Sequence, residues 1–120
     1  TSVIAKPKIE SGRPSPEELA ELPEYCQARF GDDPEARKAW SRRLGTNHYM
    51  HIHHFCTGIN LMNRALLTAN PQHRWSLLQG AHGELRYVVA RWPDGFALTE
   101  EARQRKAEVE FMLTLTKKRR

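Results

Sequence analysis

One stretch constrains the chain more than any other: LGTNHYMHIHHFCTGINLMNRALL, Leu44 to Leu67. It holds four of the six histidines, one of the two cysteines and two of the three methionines. It contains no proline, and Asn47 offers a helix N-cap just after the Gly45–Thr46 break. Ile52, Phe55, Ile59, Met62 and Leu66 recur at steps of three and four, the spacing of one apolar helical stripe. Leu61, Ala65 and Met50 lie roughly opposite. A helix of roughly 47–68 with apolar residues on more than one face needs neighbours on both sides.

The flanking sequence supplies them. Residues 1–15 carry Pro7, Gly12, Pro14 and no periodic pattern, and read as a flexible lead-in. Ser15 caps a helix with Pro16 at its first position and Glu17–Glu18 in its first turn. Pro23 kinks or restarts that helix, which runs through Tyr25, Cys26 and Phe30 to a stop at Gly31. Asp33–Pro34 starts the next, with Ala36, Ala39, Trp40 and Leu44 on one stripe. Asn70–Pro71 separates the central helix from one over about 72–92, whose apolar face includes Trp75, Leu78, Leu85, Val88 and Val89. Trp92-Pro93-Asp94-Gly95 signals a turn. A last helix spans Leu98 to about Lys117 with Ala102, Val109, Met112 and Leu113 facing inward. No segment alternates as a strand does. The expectation is an all-α domain over 16–118, of about five helices in antiparallel hairpins. Trp40 and Trp75 are expected to be buried against the central helix.

Charge narrows the function classes. The chain has a net charge of +5 and a pI near 9.6, but only Lys117–Arg120 forms a basic run. Charge spread this way favours solubility and argues against nucleic acid as the partner, which calls for clustering on one face. The run itself reads as a solvated tail. No apolar run approaches the roughly 18 residues of a membrane helix. There is no signal-peptide pattern, and in a sequence beginning at Thr1 that says nothing about export.

Two resemblances follow from particular residues. Ala81, Leu85 and Pro93, then Leu98 and Ala102, sit at the spacings of tetratricopeptide repeats, stacked helix hairpins of about 34 residues. Arg105 falls where that family has a large aromatic. Leu22-Pro23-Glu24-Tyr25-Cys26, His51-Ile52-His53-His54-Phe55-Cys56 and Asn63-Arg64-Ala65 are similar to a group of tetratricopeptide-like bacterial proteins that are often exported. The resemblance implies a right-handed helical array that binds a protein or peptide, and a periplasmic or otherwise exported location, with the cytoplasm as the alternative. Three or more hairpins normally make a stable array. With about two and a half here, either an atypical helix caps it or the chain forms a homodimer.

The histidines are the sharpest chemical feature. His48 and His51, and His51 and His54, share a helix face, so His48, His51 and His54 are candidate ligands for a metal, or a haem, in a second, cofactor-binding reading. Against it, at about 100° per residue His53 points away from His51, and no Cys-x-x-Cys or second His cluster completes a tetrahedral site. The competing account is a set of half-buried spacers hydrogen-bonded to neighbours. With no cofactor required and no catalytic constellation, the chain reads as a non-enzymatic interaction module. His53–Cys56 has nucleophile–base spacing but lacks an orienting acid in its own helix. Asn60, Asn63 and Arg64 are polar groups in an apolar helix, expected to fix a loop or helix end. Gly58 costs roughly 1 kcal/mol against Ala mid-helix and should mark the close approach of another backbone. Cys26 and Cys56 are expected to form a disulfide, which the path through Gly31 and Gly45 permits, with two buried free thiols as the alternative.

Overall fold

The computed structural model describes residues 11–119, with side chains through Thr116. The lead-in before Ser11 and the side chains of the basic run lie outside the described residues. Within them the fold is all-α, without strands. Its elements are α1 (Pro16–Ala20), α2 (Glu24–Phe30), α3 (Pro34–Leu44), α4 (Thr46–Tyr49), α5 (Ile52–Leu66), α6 (Pro71–Arg91) and α7 (Thr99–Arg119).

The local signals at the helix starts are used directly. Ser15 and Glu18 form a capping box, each side chain accepting the other's backbone N–H, with Pro16 at the first position. The Asp33 carboxylate accepts the Glu35 and Ala36 amides ahead of α3. The Asn70 side chain accepts His73 N–H ahead of α6. Each satisfies amides that a helix start leaves orphaned.

The single central helix expected over 47–68 is two helices. Gly45, with φ of +93°, closes α3 and opens α4, a conformation that favours glycine. The chain then breaks at Met50–His51. In a continuous helix the His48 carbonyl would accept the Ile52 amide. Instead it accepts the Trp92 indole N–H at 3.1 Å and the His51 amide at 3.2 Å. Tyr49 turns inward at the break, and its hydroxyl donates to the Tyr25 carbonyl at 3.2 Å. Asn47 therefore caps nothing, and Met50, 60% exposed, lies outside the core.

α5 is central as expected: nine of its fifteen residues are buried, spread around the helix. α2 packs on one side and α6 on another; α6 in turn carries α7, which only touches α5. The ends of α5 and α7 and the start of α6 meet at one pole, so successive long helices run antiparallel. Gly58 allows the α5–α6 approach, since a Cβ there would stand 3.0 Å from Leu85 Cγ. The buried contacts of α6 and α7 come from Leu78, Ala81, Leu85, Val88, Ala102 and Val109.

Cys26 and Cys56 are joined by a disulfide, with Cα atoms 5.6 Å apart, and both are fully buried. Trp40 and Trp75 correct the expectation of burial: both are half-buried at the margin of the core. The buried tryptophan is Trp92, 3% exposed, packed edge-on against Phe55 and Phe96. Its place beside a Pro-Asp-Gly turn disguised it as a loop residue.

Candidate functional site

The four histidines do not point to one place. His48 lies against the Phe96 ring, centroids 4.6 Å apart. His51 Nδ1 is hydrogen-bonded to the Tyr87 hydroxyl at 3.2 Å. His54 Nδ1 donates to Glu84 Oε2 at 2.7 Å, and its ring packs on Tyr87 at 3.8 Å. The candidate ligands His48, His51 and His54 are thus taken up by three different partners on α6 and the turn beyond it. Among the described residues no three His, Cys, Asp or Glu side chains are placed to hold one metal ion. With Cys56 in a disulfide, His53 has no thiol to activate.

The break before α5 explains the fan. With the helix axis interrupted at His51, His48 is no longer one turn below it on the same face. His51 and His54 stay together but spend their inner nitrogens on Tyr87 and Glu84. Burial, then the Arg91 charge and the neighbouring histidines, hold His51 below the usual imidazole range. Burial, then His54 and Arg29, do the same to His53, whose Nδ1 is buried without a hydrogen-bond partner. The orienting acid missing from the central helix exists for His54: it is Glu84, thirty residues on. Only an assumed α5–α6 pairing would have revealed it.

The polar residues of α5 have a structural task. Asn60 Nδ2 donates to the Gly12 carbonyl at 3.1 Å. Arg64 donates through Nε and Nη2 to the two Glu18 carboxylate oxygens at 2.7 and 2.9 Å, and also to the Ser11 and Arg13 carbonyls. Residues 11–15 are thereby strapped to α5, with Gly12 so close that a Cβ would stand 2.3 Å from Thr57 Cγ2. The Arg64 guanidinium, opposed by burial, holds the Glu18 carboxyl at about 2. Asn63, half-buried, takes no part in this strap.

Two concavities among the described residues bear on function. The first, about 350 Å³, lies where the ends of α5 and α7 meet the start of α6; Ala65, Leu66, Pro71, Arg74, Met112 and Leu115 line it. Leu66 and Leu67 beside it are 63% and 89% exposed, so the stripe assigned to α5 ends before Leu66. The second, about 470 Å³, lies between α2, α3 and α4, with Arg29, Arg37, Lys38, Ser41 and Tyr49 on its walls. Sequence reading missed it because its cations, eight and nine residues apart on two helices, form no run.

No family model, curated protein or solved structure matches the chain.

Proposed function

We propose that the protein is a non-enzymatic interaction module of tetratricopeptide-like type, whose apolar groove at the α5–α7 pole receives an amphipathic helix of a partner protein. The observation that carries this reading is the pair of exposed leucines, Leu66 and Leu115, in the lining of a groove that also has Ala65 and Met112. Exposed leucines gathered beside a concavity mark a protein contact more often than scattered ones do. Among the described residues the one charged lining residue is Arg74. An acidic side chain at the end of the partner helix complements it. Burial of Ala81, Leu85 and Ala102 at repeat spacing supports the likeness to stacked hairpins. The buried disulfide supports an oxidising compartment, periplasmic or otherwise exported. No helix among the described residues is long and apolar enough to cross a membrane.

Selection of peptides from a random phage-displayed library tests the groove. The expected result is enrichment of apolar, acid-flanked helical sequences whose affinity falls at least about tenfold for Leu115→Glu. The Leu115→Glu variant is first checked for wild-type circular dichroism. No enriched sequence, or peptides that bind Leu115→Glu as well as wild type, overturns the reading. Self-association abolished by Leu115→Glu would replace the partner helix with a second copy.

A further inference from the structure

We propose that the cleft between α2, α3 and α4 binds a phosphate-bearing ligand. Three cations from two helices meet in this concavity: Arg29 from the last turn of α2, Arg37 and Lys38 from α3. No carboxylate among the described residues lines it. Among the described residues neither Arg29 nor Arg37 forms an ion pair. Lys38 has only Glu35, at 3.7 Å and with both side chains largely exposed, a pairing worth little. Like charges collected without counter-charge repel one another, and an anion in the cleft relieves that repulsion.

The geometry is also set in advance. Arg37 Nη2 donates to the Gly31 carbonyl at 2.9 Å, which ties its guanidinium to the α2–α3 turn and leaves other N–H groups available. Ser41, one turn after Arg37 on α3, lines the same cleft. Pro34, Met50 and the buried Tyr49 add apolar surface to the lining. Tyr49 cannot drift, since its hydroxyl is held by the Tyr25 carbonyl and Cys26, next to Tyr25, is tethered to α5. Arg29 and Arg37 both reach the Tyr49 hydroxyl electrostatically, partly offsetting the upward push of burial. Guanidinium groups converging on one concavity match the oxygens of a phosphate. The volume falls in the range of small-molecule sites, about 300–1,000 Å³. An extended nucleic acid calls instead for cations along a track, so the concavity favours a compact ligand.

Inorganic pyrophosphate is the probe, titrated calorimetrically into the full chain at roughly 50 mM salt, where screening spares such contacts. Saturable one-to-one binding with Kd below about 1 mM is expected. Arg37→Gln should weaken it at least about tenfold, and Ser41→Glu, which puts a carboxylate inside the cleft, should abolish it. Arg86→Gln, an exposed cation on α6, should leave it unchanged. Arg37 is exposed and Ser41 half-buried, and wild-type melting of the variants confirms the fold. A second arm uses vesicles of one part phosphatidylglycerol to three parts phosphatidylcholine. Arg37-dependent vesicle binding assigns the phosphate to a lipid headgroup; pyrophosphate binding alone assigns it to a free ligand. The proposal is overturned by absence of both, or by Arg86→Gln weakening binding as much as Arg37→Gln.

Discussion

Removing the Cys26–Cys56 bond should cost this domain a large part of its stability. The two cysteines are 30 residues apart in sequence. Chain-entropy arithmetic for a loop of that length yields about 3.6 kcal/mol at 25 °C. That is a substantial share of the roughly 5–15 kcal/mol typical of a folded domain. For a domain of about a hundred residues, each kcal/mol moves the melting temperature by roughly 4–5 °C, so the loss is about 15 °C. Cys26→Ala/Cys56→Ala tests this, because the other anchors of α2 keep the variant foldable. Leu22 stays buried, Tyr25 stacks on Phe55 with centroids 6.3 Å apart, and Tyr49 still holds the Tyr25 carbonyl. Both sulfurs are fully buried, so their removal also leaves a small void, which acts in the same direction. Thermal circular dichroism of wild type and variant reads the difference. Mass spectrometry of denatured, alkylated protein should show no alkyl groups before reduction and two after. A melting difference under about 5 °C refutes the loop-entropy reasoning, and two alkyl groups without reduction refute the bond itself.

The strap supplies a pH-dependent prediction. Because the folded Glu18 carboxyl is held at about 2, below its ordinary 4.5, its stabilisation is full above about pH 4.5 and is lost as pH falls towards 2. Arg64→Ala should cost about 2 kcal/mol at neutral pH, the scale of a charged hydrogen bond. It should also flatten that acid dependence; urea midpoints between pH 2 and 6 decide, and an unchanged slope counts against the pair. Gly12→Ala should destabilise by roughly 1–3 kcal/mol through the overpacked Thr57 contact. Proteolysis at residues 11–15 should quicken with it, and wild-type melting and cleavage rates would show the segment is not held there. Trp92→Ala should cost roughly 3–5 kcal/mol in urea melts, as a buried aromatic, and more than Trp75→Ala, whose ring is half exposed. The reverse order would mean that the margin and centre of the core are misassigned.

What was legible in the sequence was local. Ser15, Asp33 and Asn70 each accept helix amides two or three residues on, and the prolines after them fix the same boundaries. Gly58 was legible as a place of close approach, but what comes close is the Leu85 side chain, 3.0 Å from an added Cβ, and not the backbone expected there. The break at Met50–His51 was not legible, because its cause is the Trp92 indole 44 positions later in the chain. The residues around the break all have helical spacing. The strap failed to show for a similar reason. Residues 11–15 have the composition of a linker, and their order comes from Asn60 and Arg64 on another element. The candidate phosphate cleft is of the same kind: Arg29 reads as a C-terminal helix charge and Arg37 as a solvated face until α2 folds back across α3.

The two sides of α5 are held differently, and this predicts where the molecule opens. Towards α1 and α2 it is bound by a disulfide, a bidentate ion pair and the Asn60 bond to Gly12. Towards the far side, α7 rests on α6 and only touches α5. In the last turns of α7, Leu113 and Thr116 are buried, but Phe111 and Leu115 are 64% and 43% exposed. Peeling back residues 110–119 therefore uncovers little apolar side chain. Each fully buried side chain is worth about 1.5–3 kcal/mol, and the freed backbone regains about 1–2 kcal/mol per residue. Such a segment opens at far lower free energy than the whole domain. Amide exchange over residues 110–116 should be orders of magnitude faster than over Ile52–Leu66. Because Met112, Leu115 and Thr116 line the apolar groove, a peptide seated there should slow exchange in that segment selectively. Protection across 110–116 equal to that of α5 in the free, monomeric chain would refute both the weak anchoring of α7 and the adaptable groove built on it.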